Sequence, residues 1–151
     1  MKYRMLGRTG MSVSEIGLGT WSFASRAYGD VDRKDAEAVV QTALDGGITL
    51  FDTAPLYGTS DEDGISERIL GGALGTRRDE ILISTKFGRG SSFRNTAFDA
   101  DGVVASVEAS LGRLSTDRID VLFFHSPFGA DEIEDDVWQA LSDLKQQGKI
   151  R

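Results

Sequence analysis

The sequence predicts an α/β protein, an N-terminal β-hairpin followed by (βα)4, which amounts to half of a closed (β/α)8 barrel. Three observations predict it. Short apolar, β-branched runs alternate with amphipathic helical stretches. Polar landmarks just past the expected strands, Thr20, Asp52, Lys86 and His125, recur at intervals of about 30–40 residues, the length one βα unit requires. The glycine fingerprint of the competing open sheet is missing: Gly17-Leu18-Gly19-Thr20-Trp21-Ser22 and Gly88-Arg89-Gly90-Ser91-Ser92-Phe93 both lack the third glycine of G-x-G-x-x-G.

Tyr3 to Leu6 and Met11 to Val13, separated by Gly7-Arg8-Thr9-Gly10, read as a hairpin over about 3–13, and Ile16-Gly17-Leu18-Gly19 as the first barrel strand. Ala36, Val39, Val40, Ala43 and Leu44 follow helical spacing, with Asp32 placed to cap the helix and Gly46-Gly47 to stop it. Strands are expected at Ile48-Thr49-Leu50-Phe51, at Glu80-Ile81-Leu82-Ile83-Ser84 and at 119–124. Their continuous apolar character suits strands covered on both faces. Further helices are expected at roughly 62–75, at 101–114 through Val103, Val107, Leu111 and Leu114, and at 133–147 through Ile133, Val137, Leu141 and Leu144. The βα units thus span about 16–46, 48–75, 80–114 and 119–147, within one unit over 1–151. A complete barrel needs eight strands and about 250 residues; after Gly148-Lys149-Ile150-Arg151 a fifth strand is expected.

Composition narrows the function. With 40% hydrophobic and 27% charged residues the chain is expected to fold, and no stretch approaches the roughly eighteen apolar residues of a membrane span. Without a signal-type apolar region after Met1, a cytoplasmic location is expected. The absence of cysteine excludes disulfides and thiolate chemistry, and a single histidine leaves few ligands for zinc. A net charge of −7 opposes binding to nucleic acid or anionic membranes.

In a barrel, catalysis sits where strands end and their following loops begin. Asp52 ends the second strand, Tyr57 lies on the loop after it, Lys86 ends the third and His125 the fourth. Singly each has a plain reading: Asp52 as a turn residue, Lys86 as a solvated charge, Tyr57 as a partly buried aromatic, His125 as a hydrogen-bonded strand-end histidine. Together they point to proton donation by a tyrosine. A phenol is a weak acid that benefits from a neighbouring cation able to stabilise phenolate, which Lys86 can supply. Asp52 can orient Lys86, and His125 can hydrogen-bond an oxygen that becomes alkoxide. Trp21, just past the first strand, is a candidate to line a substrate pocket or to cover the barrel mouth.

Phe51-Asp52-Thr53-Ala54-Pro55-Leu56-Tyr57-Gly58, then Ser66-Glu67-Arg68-Ile69-Leu70-Gly71, Lys86 and His125-Ser126-Pro127 resemble the aldo-keto reductases. The opening from Arg4 to Gly10 and on to Gly17-Leu18-Gly19-Thr20 also resembles members whose barrel base is closed by a hairpin. The resemblance implies the N-terminal half of a TIM barrel and NADPH-dependent reduction of aldehydes and ketones, or the reverse oxidation of sugars and alcohols. Tyr57 would be the proton donor, working with Asp52, Lys86 and His125, while Thr20 and Asp52 would touch the cofactor. The acidic stretch Asp61-Glu62-Asp63 departs from the pattern, as a variant loop or a capped helix start. Most cofactor contacts in the family come from strands and loops five to eight, so the chain alone is expected to have very low activity. A half-barrel also leaves sheet edges open. Self-association or a complementary barrel half is expected, and the alternative function is a non-catalytic self-associating half-barrel, or a scaffold fragment that has inherited the tetrad.

Overall fold

The computed structural model describes residues 1–24, 29–59, 61–89, 98–127 and 133–151. Tyr3–Met5 (β1) and Ser12–Ser14 (β2) form an antiparallel hairpin. Leu18–Gly19 (β3), Leu50–Asp52 (β4), Leu82–Phe87 (β5) and Val121–Phe124 (β6) form a parallel sheet in sequence order. The helices Arg33–Asp45 (α1), Ile65–Leu74 (α2), Ala100–Leu114 (α3) and Asp135–Gln146 (α4) follow the four strands in turn. A parallel bridge between Ile119 and Ile150 continues the ladder on the far side of β6.

The two faces of β5 explain the layering. Ile83 and Phe87 point to the helices, where Ile83 joins Val40, Phe51, Leu70 and Leu114, and Phe87 joins Val103, Val107, Val137 and Leu144. Each such side chain, once fully buried, contributes roughly 1.5–3 kcal/mol. Leu82 points the other way and is covered by Met11 and Val13 of the hairpin, with Leu50 and Val121 beside it. The lower part of the barrel-facing side is therefore closed. Ser14 and Thr49 fasten the hairpin there, each backbone N–H donating to the other's hydroxyl at 2.9 Å.

Several boundaries differ from the sequence expectation. The helix expected from 62 begins at Ile65, because Thr59 N–H donates to Glu62 O and Gly64 at φ +66° makes the entry turn. Asp61-Glu62-Asp63 is thus loop, with Glu62 paired to Arg68. The strand expected over 48–51 is Leu50–Asp52, since Ile48 N–H is still tied to Ala43 O at the end of α1. The third strand runs past Ser84 to Phe87, because ladder pairing with β6 outweighs the polarity of Thr85 and Lys86. Ile16, expected in the first strand, lies exposed before it. Val39 was expected on the buried stripe of α1 but is 45% exposed; the stripe is the narrower Ala36, Val40, Ala43 and Leu44. Asp32 caps α1 through Lys34 N–H, and Gly46 N–H donates to Thr42 O where the helix ends, both as expected. Among the described residues no helix is long and apolar enough to cross a membrane. The Gly88–Phe93 stretch passes outside the described residues after Arg89.

Candidate active site

β4 and β5 are in register, with Asp52 opposite Ser84. Alternation then places Lys86, two residues on, on the same side as Ser84. The Lys86 ammonium donates to both carboxylate oxygens of Asp52 at 2.8 Å and to the Thr53 carbonyl at 2.8 Å. Those bonds use all three of its protons. Ser84 in turn donates its hydroxyl to Asp52 Oδ2, so the carboxylate is held from two sides.

Tyr57 reaches this pair from the loop after β4, which is closed by Tyr57 N–H to Ala54 O and by Ser66 N–H to Tyr57 O. The Lys86 ammonium lies 5.0 Å from the Tyr57 ring centroid, within cation–π range. His125, just past β6, presents its ring edge-on to Tyr57, with centroids 6.0 Å apart and an interplanar angle of 90°. Burial pushes the His125 imidazole below its ordinary titration range, and the nearby charges of Lys86 and Arg89 add to this, while Asp52 opposes them. Its Nδ1 is buried with no hydrogen-bond partner among the described residues, as is the Thr53 hydroxyl.

Asp52, Tyr57, Lys86 and His125 all open onto one cleft of about 450 Å³, whose remaining walls are Phe123, Phe124 and Ser126. A second, more apolar groove of about 520 Å³ runs between β6, α4 and the hairpin, lined by Leu122, Trp138 and Leu141 among others. None of the four residues lines it, although Phe124 borders both.

The structure thus brings together the four residues expected to carry chemistry. Trp21 is 49% exposed, with its ring 6.5 Å from that of Tyr57, beside the cleft but not among its lining residues. Thr20, expected at a cofactor, is fully buried and donates its hydroxyl to Asp52 O at 3.1 Å. Ser66 and Glu67 belong to the frame: Ser66 donates to Thr20 O, and Glu67 accepts from Thr85 and Arg113. Sequence reading missed Ser84, Phe123 and Arg89. Ser84 was findable, since it precedes Lys86 by two and must share its face. Phe123 precedes His125 by two, yet reads as core; it is 50% exposed in the cleft.

The sequence profile described as "Aldo/keto reductase family" matches residues 15–151. The chain is 38% identical to aldo-keto reductase YhdN of Bacillus subtilis, over all of this chain and 45% of that protein. It is also 38% identical to L-galactose dehydrogenase of Arabidopsis thaliana, over all of this chain and 47% of that protein. Among solved structures, a putative aldo-keto reductase from Pseudomonas aeruginosa superposes with a TM-score of 0.84 at 38% identity, over 98% of this chain and 56% of that one. The holo form of AKR11C1 from Bacillus halodurans gives 0.84 at 33% identity, over all of this chain and 48% of that one. The chain therefore spans about half the length of the relatives it matches.

Proposed function

Because the chain belongs to the aldo-keto reductase family, we propose that it supplies the acid–base half of an NAD(P)H-dependent reduction of aldehydes and ketones, or of the reverse oxidation of sugars and alcohols. The observation that carries this reading is the single cleft onto which Asp52, Tyr57, Lys86 and His125 open.

In the reductive direction Tyr57 gives its phenolic proton to the substrate oxygen. The Lys86 charge over the ring favours the phenolate left behind. With its protons taken by Asp52 and Thr53, Lys86 contributes position and charge rather than a proton. His125 acts as a neutral donor. A second proton would leave a charged N–H buried at Nδ1 without an acceptor, so the imidazole stays uncharged and carries its hydrogen on Nε2, for the substrate oxygen.

The cleft lining by itself does not fit the phosphates of a dinucleotide. The cleft lining offers one cation, Lys86, and its protons are committed; Thr20 spends its hydroxyl on Asp52 O. Nothing there matches a row of phosphates. In this reading residues beyond the cleft lining hold the phosphates of the hydride donor, and Trp21 lies on the substrate side. A cytoplasmic location goes with this reading.

In a protein carrying this sequence together with a second barrel half, Tyr57→Phe is expected to slow NADPH-dependent reduction of an aromatic aldehyde by about 10²–10⁴-fold, the usual contribution of a general acid. NADPH affinity should be unchanged. Equal rates in the two proteins would remove Tyr57 as the donor. The 151-residue chain alone is expected to show no saturable quenching of Trp21 and Trp138 fluorescence by NADPH. A second reading, a self-associating half-barrel without turnover, is supported by half-exposed Phe123 and Trp138 beside the outer edge of β6. Light scattering on the same sample reads its outcome as a mass above 16.4 kDa.

A further inference from the structure

β5 does not end at Lys86. The chain continues through Phe87 into Gly88, at φ +95°, where a Cβ would lie 1.9 Å from a ring carbon of Phe98. Only glycine fits that turn. Past it, Arg89 reaches across to the end of β6, and its Nε–H is shared between the carbonyls of His125 at 2.9 Å and Ser126 at 2.8 Å. From the other side, His125 N–H donates to Phe87 O at 2.9 Å. Both backbone groups of the histidine are thus held by residues of the β5 exit. Ser126 sits at φ +47°, a left-handed conformation that a non-glycine residue keeps only when its surroundings impose it. Arg89 bonds the carbonyl on each side of that strained backbone.

We propose that Arg89 is a positioning residue for the acid–base site: by clamping the His125 and Ser126 carbonyls it holds the turn after β6 so that the imidazole stands edge-on to Tyr57. The proposal rests on the reading of Tyr57 and His125 as the proton-handling pair, but it concerns a residue that does not itself line the cleft. Arg89 acts in two separable ways. Its bonds fix the direction of the ring, and its charge disfavours a second proton on it. The other charged groups facing His125 are Lys86, which works in the same sense, and Asp52, which works against it.

His125 is the only histidine in the chain, so its ring protons give one assignable set of resonances in the 151-residue protein. Two readouts follow: the pH titration of that ring, and the nuclear Overhauser contact between His125 and Tyr57. Arg89→Met removes the bonds and the charge, so the midpoint is expected to move up and the contact to lose most of its intensity. Arg89→Lys keeps the charge without the Nε–H, so the midpoint should stay near wild type while the contact weakens. The ring contact between Phe87 and Phe124, centroids 4.5 Å apart, serves as the local folding control and should persist in both variants. An unchanged His125–Tyr57 contact in Arg89→Met overturns the proposal, and so does its loss together with the Phe87–Phe124 contact, which would mark general melting of the β5–β6 exit. Failure of the Tyr57→Phe test would sink the enzymatic reading while leaving this coupling measurable.

Discussion

Glu67 and Asp52 both hold a cation with a carboxylate, but the surroundings of the two pairs differ throughout. The Glu67 side chain is fully buried; one oxygen accepts from the Thr85 hydroxyl and the other from Arg113, while Arg113 also donates to the Ser110 hydroxyl. Asp120, at the opposite end of the sheet from the cleft, is as closed, accepting from Arg78, Arg151 and the Ile83 N–H. Asp52 keeps 38% of its side chain exposed, holds a lysine whose charge spills over a phenol, and has two unpartnered buried polar atoms near it, on Thr53 and His125. Where polar groups serve to join helix to sheet, their bonding capacity is used up. Around the proposed acid–base site, some is left open.

That contrast can be broken or sharpened by measurement. Glu67→Gln leaves the Arg113 guanidinium largely buried without a countercharge and is expected to cost about 3–5 kcal/mol in urea unfolding; a loss under about 1 kcal/mol would mean the pair is ornamental. Asp52→Asn also takes the countercharge from a largely buried cation, Lys86, but at a carboxylate 38% open to water, which screens the loss, so its cost should fall below that of Glu67→Gln. Should Asp52→Asn destabilise as much as Glu67→Gln, the division between frame and site disappears. The smallest effect concerns pH. Because the folded protein holds His125 below its ordinary value of 6.5, the unfolded chain binds the proton more readily. Stability is therefore lost as pH falls through 6.5 toward the folded-state value, and is unaffected by this group above it. His125→Gln should lose less stability than wild type between pH 8 and pH 5.5 in paired urea titrations. Parallel pH dependence in the two proteins would show that His125 is not held neutral.

The sequence made the periodic features legible. The stripe of Val103, Val107, Leu111 and Leu114 is buried throughout, and the tetrad residues lie at or just past their strands because a βα repeat puts every strand end on one side of the sheet. What escaped was decided by neighbours distant in sequence. Val39 fits the helical spacing but falls outside the arc that the sheet covers. Thr85 and Lys86 look like the end of a strand until β6 pairs with them. Arg89 resembles any loop arginine, since nothing local announces that its partners are carbonyls at His125 and Ser126. The Glu67 role was hidden for the same reason: Thr85 and Arg113 lie on elements that only the fold brings together.

The hairpin has one consequence for traffic. Met11 and Val13 seal the sheet face below Leu82, and the reciprocal Ser14–Thr49 bonds keep them seated. The hairpin end of the sheet's inner side is thus filled with apolar side chains. On the proposed reading, whatever reaches Tyr57 comes from the strand-exit end beside Trp21 and not from the hairpin end, because the hairpin occupies the inner face there.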